Sequence, residues 1–588
     1  MDKMLSIFTA LLLAPLATLP ASEPAPAEPV ILPTRVDVLT ETWRATEITF
    51  ESANTYLHPL NGPELNIVFT SPSGKQYRVP GFWDGGKTWR VRFAPPEYGV
   101  WQYVSTCSDS SDAGLHGQRG TLGANRYRGS LEIYRHGFVK TTPGVRYFRY
   151  ADGTPFFYLG DTHWSMPQEP FDEMFKVIVN KRVAQGFTVY QSEPLGAKYN
   201  LADGFSEADL PGLRDLDRRF KYIADAGLVH ANAELFFPPE IAKPCYTDEY
   251  LKKLCRLWVA RFGAYPVMWT SGQEVDNDFY FDRGNQHYFD ANSNPWKQVL
   301  AWVHEYDPYQ HPGTAHMEFM GNQPEPKEFP PKSERPKYGY GVLASTSSFR
   351  EVPGHTWYGV QWTPPHDSGI RWPAIRDFWE NGQGKPVVNY EGSYDHLWTL
   401  GEGARQQGWT AYLNGMFGHG YGAIDIWYYN SKYDVDKDSV RGTVTITAEQ
   451  KKTRWTNSVN FPSATELGVH MKNFFTSMAW WQLTPRFDDP NWFQAENSTW
   501  YSLATIDSKV YVLYLYNWAT TTTGILRHMR NTLYVAQWFN TKTGAYTDLG
   551  TITPEREAAG EGCWWKVPNK PTASDWVLVV KVLNPAIK

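Results

Sequence analysis

The sequence predicts an α/β protein: a central (β/α)8 TIM barrel flanked by N-terminal and C-terminal β-sandwich domains. Three observations predict it. Residues 30–136 alternate apolar and polar at period two, as half-buried strands do. Residues 137–488 switch to apolar runs separated by helical stretches, the pattern of βα units on a parallel sheet. Residues 489–588 return to period two. A chain of 588 residues is too long for one core, so several domains are expected.

The elements follow in chain order. Met1-Asp2-Lys3-Met4 precedes an apolar run over residues 5–19, and Leu19-Pro20-Ala21 places a small residue after it. Residues 1–21 read as a signal peptide, too short for a bilayer span, and residues 22–29 (SEPAPAEP) as a Pro/Ala linker. The expectation is an exported protein, periplasmic or extracellular, without stable membrane insertion after signal cleavage. In the first domain, Leu65-Asn66-Ile67-Val68-Phe69, Trp89-Arg90-Val91-Arg92-Phe93 and Val100-Trp101-Gln102-Tyr103-Val104 are strands. Ser71-Pro72-Ser73-Gly74 and Asp84-Gly85-Gly86 are turns between strands.

Eight barrel strands are expected at 155–164, 186–195, 227–237, 265–276, 312–319, 357–365, 386–394 and 423–429. Helical stretches at 171–185, 212–226, 248–262 and 402–416 lie between them. A doubly wound open sheet is the alternative, but it wants a Gly-rich phosphate turn that Leu159-Gly160-Asp161-Thr162 does not provide. In the last domain, Val510–Tyr516 and Trp576–Val580 are strands, and Asn540-Thr541-Lys542-Thr543-Gly544 is a hairpin turn.

Composition narrows the function. With 26 Trp and 35 Tyr, a net charge of -6 and no basic block, the chain suits uncharged ligands with flat CH faces, such as sugars, and not nucleic acid. Gly81-Phe82-Trp83-Asp84-Gly85-Gly86-Lys87-Thr88 spells a Walker A string, but it runs into a strand where a phosphate loop must open a helix. Gly418-His419-Gly420-Tyr421-Gly422 reads as preceding a strand, so it is no dinucleotide fingerprint. Neither an H-E-x-x-H zinc motif nor a G-x-S-x-G elbow occurs, and no metal or cofactor is called for. The four cysteines, Cys107, Cys245, Cys255 and Cys563, lack zinc-ribbon spacing; Cys245 and Cys255 are either a pair or separately buried.

Barrel enzymes keep their chemistry at the C-terminal strand ends. Two expected strands turn polar and end on a carboxylate: the fourth at Glu274, the seventh at Glu391. Period two puts Val387, Asn389 and Glu391 on one face, expected to be the interior. Glycoside hydrolysis needs such a pair, one protonated to release the leaving oxygen and one ionised to attack the anomeric carbon. Candidate substrate contacts at other strand ends are Asp161, His163, Trp164, Gln191, Glu193, Glu234, Gln273, His316, Trp362, Tyr394 and Trp427. The partner is then a polysaccharide or oligosaccharide. A barrel that binds carbohydrate or matrix without catalysis is the competing class, and inversion the competing stereochemistry.

Phe157-Tyr158-Leu159-Gly160-Asp161-Thr162-His163-Trp164 resembles the first-strand signature of apiosidase-like glycoside hydrolases. Val79-Pro80-Gly81-Phe82-Trp83-Asp84-Gly85 and the strand at 89–93 resemble the β-sandwich that often precedes that barrel, and Trp538-Phe539-Asn540-Thr541-Lys542-Thr543-Gly544 is similar to a collagen-binding-type C-terminal sandwich. The resemblance implies a retaining mechanism, with Glu274 as acid/base and Glu391 as nucleophile. The wider clan has Asn before the acid/base, where this chain has Gln273. The family name suggests apiose, though loops set specificity within one fold.

Overall fold

The computed structural model describes residues 29–57, 60–193, 205–232, 246–273, 275, 295–318, 349–361, 372–396, 399–427, 455–496, 501–517, 524–558 and 562–583. Its centre is a nearly closed parallel barrel of nine strands. In chain order these are Tyr158–His163, Val189–Ser192, Val229–Asn232, Val267–Thr270, Gly313–Thr314, His316–Glu318, Tyr358–Gln361, Val387–Glu391 and Gly418–Tyr421. The first strand pairs with the second and with the last, so the sheet wraps round. The two edge strands of the ladder, Gly313–Thr314 and His316–Glu318, are separated only by Ala315.

Seven of the expected strand positions hold. The eighth does not: Ala423 forms a lone bridge to Asp395, residues 424–426 form a turn, and the strand is Gly418–Tyr421, the glycine-rich stretch expected to precede it. Crowding inside the barrel accounts for those glycines. A Cβ on Gly420 would stand 2.3 Å from the Tyr390 carbonyl oxygen and 2.5 Å from Gln191 Oε1. The glycines read as preceding a strand are what lets this strand close the barrel.

The supporting helices form where the sequence signals are strong. Asp248–Phe262 starts at Thr247, whose side chain accepts from the Tyr250 amide, has Asp248 and Glu249 in its first turn and stops at Gly263. Leu210–Asp225, Pro295–Tyr306, Trp372–Asn381 and Gly401–Leu413 complete the main set. Among the described residues, no helix is long and apolar enough to cross a membrane.

Before the barrel lie a five-stranded and a three-stranded sheet. The Walker-like string belongs to the latter: Phe82–Trp83 pairs antiparallel with Thr88–Phe93 across a turn in which Gly85 and Gly86 both have positive φ. It is a β-hairpin, with no helix to hold phosphate. After the barrel, six-stranded and four-stranded sheets share a core that includes Leu503, Leu513, Leu526, Trp538, Cys563 and Leu578. Cys255 is a buried free thiol; Cys245 lies outside the described residues.

Candidate active site

Glu391 ends the strand Val387–Glu391, every residue of which is buried. Strict alternation does not deliver it to the interior. Asn389 reaches His419, and His419 lies 3.2 Å from where a Cβ of Gly408, on the outer helix Gly401–Leu413, would stand. The odd positions therefore face the helices, and the expectation that Val387, Asn389 and Glu391 share the inner face is corrected. The register slips here: Val360 pairs with Asn389, but Gln361 pairs with Glu391. Tyr390 and Glu391, neighbours in sequence, consequently both reach Trp164 and His316. This irregularity re-aims one side chain at a strand end, as bulges beside active sites do.

Around Glu391, polar groups converge. Trp164 Nε1 lies 3.3 Å from Glu391 Oε1 and donates to the Tyr394 hydroxyl at 2.6 Å. The Tyr394 hydroxyl donates to the same Oε1. His316 Nε2 lies 3.6 Å from Oε2. Burial alone pushes the His316 ring down to about 3, so it is neutral at ordinary pH. The Tyr394 ring stacks on Trp427, centroids 4.7 Å apart and planes 14° apart. Glu391, Trp164, Tyr394, His316 and Trp427 are thus brought together.

Gln191 also points inward. It donates from Nε2 to the Tyr390 carbonyl at 2.8 Å, and its Oε1 fills space that side chains on Gly160 and Gly420 would need. Glu193 and Gln273 are buried just past their strand ends. Asp161 and His163 are elsewhere. Both lie on the helix-facing side of the first strand, where Asp161 takes Arg182 Nε at 2.6 Å and His163 Nε2 at 2.8 Å. They sit behind the strand and not over its mouth, because Thr162 and Trp164 take the inward positions of that alternation. Burial raises the Asp161 pKa, but Arg182 and His163 outweigh it and hold the carboxyl below its ordinary value. Burial likewise opposes protonation of His163, and Asp161 reverses that, leaving the ring above its ordinary value.

Glu274, Glu234 and Trp362 lie outside the described residues. The chain on either side of position 274 is held to the fifth strand region: the His316 amide donates to the Gly272 carbonyl and the Val275 amide to the His316 carbonyl, both at 3.0 Å. Sequence reasoning missed Arg182 and Tyr390. Arg182 lies on the helix Lys176–Ala184, and nothing in its periodicity marks one buried arginine as the partner of a strand-end Asp. Among the described residues, no group of three or more His, Cys, Asp or Glu side chains has the arrangement of a metal site.

A family described as "Apiosidase-like, catalytic domain" matches residues 142–482, more than half the chain. A domain of unknown function, DUF5060, matches residues 40–108. No curated protein matches. Among solved structures, a Bacteroides vulgatus ATCC 8482 protein named provisionally as a glycoside hydrolase superposes with TM-score 0.64 at 17% identity, covering 93% of this chain and 100% of its own. A structure titled "Glycoside hydrolase" gives 0.58 at 16%, covering 77% and 99%. A glycoside hydrolase family 5 protein from Bacteroides vulgatus ATCC 8482 gives 0.57 at 15%, covering 77% and 96%. At these identities the superpositions speak to the fold.

Proposed function

The chain belongs to the apiosidase-like family, and on that premise we propose that it is an exported, retaining glycoside hydrolase acting on a polysaccharide or oligosaccharide. In this reading the barrel is a (β/α)8 barrel, with Gly313–Glu318 one strand interrupted at Ala315, flanked by β-sandwiches. Glu391 is the nucleophile and Glu274 the acid/base.

The observation that carries the reading is the polarity of the bonds to Glu391. A tryptophan N–H only donates. Trp164 donates to Tyr394, so the single Tyr394 proton is left to point at Glu391 Oε1. Both groups present hydrogen to one carboxyl oxygen, an arrangement that suits the ionised form. An ionised carboxylate at a barrel strand end suits attack on the anomeric carbon, not proton donation.

The steps balance. An electron pair of Glu391 forms a C–O bond to the anomeric carbon as the bond to the leaving oxygen breaks, and that oxygen takes a proton from Glu274. Water then returns a proton to Glu274 as its oxygen replaces Glu391. Neither step calls for a metal or an organic cofactor. Retention requires the two carboxyls to be about 5–5.5 Å apart.

The test is release of sugar from a panel of aryl glycosides and branched plant and bacterial polysaccharides. Glu391→Ala and Glu274→Ala are each expected to lower kcat by about a thousandfold or more. Equal release by wild type and both variants sinks the assignment and favours a binding barrel.

A further inference from the structure

Resting on the reading of Glu391 as a nucleophile, we propose that Tyr394 and Trp164 are positioning residues that orient this carboxylate and keep it ionised, and are not contacts for sugar.

Packing is the first argument. The Tyr394 ring has one face against Trp427, and its edge lies where a Cβ of Gly422 would stand only 2.0 Å from Cδ1. Glycine at 422 is what admits the ring. The ring is fixed on both sides, and its hydroxyl is aimed at Glu391 by packing before any ligand arrives.

Direction is the second. Trp164, Tyr394 and Glu391 form a one-way chain of donors ending at Oε1. Of the titratable described groups against Glu391, His316 faces Oε2 at 3.6 Å and is neutral, while Tyr394 faces Oε1. Tyr390 stands behind both, its ring 5.0 Å from that of His316. Among the described residues, Tyr394 and Trp164 are donors that face Oε1.

The experiment compares wild type with Tyr394→Phe and Trp164→Phe on a substrate the panel identifies. Tyr394→Phe is expected to lower kcat on the order of tenfold to a hundredfold, with KM changed less than about twofold. The acid limb of its kcat/KM profile moves up by about one pH unit, because a donor to the charged form is gone. Trp164→Phe shifts both in the same direction by less, and serves if the first variant does not fold. A raised KM at unchanged kcat, or an acid limb unmoved in both variants, overturns the proposal. If wild type hydrolyses nothing on the panel, the hydrolase reading fails separately. The carboxyl is then titrated by carbon-13 NMR of labelled glutamate, with Glu391→Gln identifying the resonance. A higher midpoint in Tyr394→Phe supports positioning, and an unchanged one refutes it.

Discussion

The two ends of the chain are fastened to the barrel in different ways. At the N-terminal junction the charge is shared. Arg92 from the strand Thr88–Phe93 meets Asp217 on the helix Leu210–Asp225 at 2.6 Å, and Arg261 on the helix Asp248–Phe262 meets the same carboxylate at 2.5 Å. Arg261 also approaches Asp84 at 3.3 Å, and Arg256 donates to the Leu65 and Gly81 carbonyls. At the C-terminal junction one pair dominates. Arg405 on the helix Gly401–Leu413 forms two bonds to Asp575, at 3.0 and 2.5 Å, and a further one to Glu466. Asp575 is completed by Tyr514 at 2.9 Å and Thr541 at 2.8 Å. Trp409 stacks parallel to Tyr514 on the same interface.

The difference is one of redundancy and of what lies behind each joint. The N-terminal joint grips the helix leading into Val267–Thr270, and losing one arginine leaves Asp217 the other. The C-terminal joint grips the helix between Glu391's strand and the last strand, and that helix is buried from Ala404 to Leu413. Both flanking regions therefore act as braces for the strands that present the site.

Breaking the concentrated joint has the largest effect. Arg405→Met strands a buried carboxylate and is expected to cost about 3–5 kcal/mol, read as a fall in the urea midpoint, with activity lost alongside. Arg261→Met leaves Arg92 on Asp217 and costs less, about 1–3 kcal/mol. A larger loss at Arg261 than at Arg405 reverses the comparison.

Acid sharpens it next. Burial holds His230, His316 and His419 at about 3, so each is neutral when folded and takes up a proton on unfolding once the pH is below about 6.5. Their contribution is present above that value and is lost as pH falls from about 6.5 toward 3, at up to about 4 kcal/mol per pH unit for three protons. Asp575 and Asp217 oppose their own burial through Arg405 and Arg92 and are held below the ordinary carboxylate range. They withdraw stability only below about pH 4. Thermal unfolding between pH 7 and 5 should therefore report the buried histidines, with His355 and His311 adding to the three and His163, held above its ordinary value, opposing them; His419→Gln should reduce the slope by one proton's share, at most about 1.4 kcal/mol per pH unit. Last, Lys253→Ala removes a surface pair with Glu249 and a bond to Asn61 and should leave the urea midpoint almost unmoved.

Much of this frame was legible in the sequence. Period two marked strands on either side of the barrel, and seven barrel strand positions followed from apolar runs. The eighth was misplaced because glycine reads as a breaker unless one knows that Gln191 and the Tyr390 backbone crowd Gly420. Glu391 was placed at its strand end for a partly mistaken reason. Its strand end was visible, but the register slip opposite Gln361 that turns it inward leaves no local trace. Asp161 and His163 were read as contacts because they close a strand; their burial against Arg182 is a tertiary fact.

The most direct measurement is trapping with a 2-fluoro glycoside matching the preferred aryl substrate, followed by peptide mass mapping. One glycosyl group is expected esterified to Glu391, with the anomer first released retaining the substrate's configuration. An inverted first product, or a label on another carboxylate in an active enzyme, contradicts it.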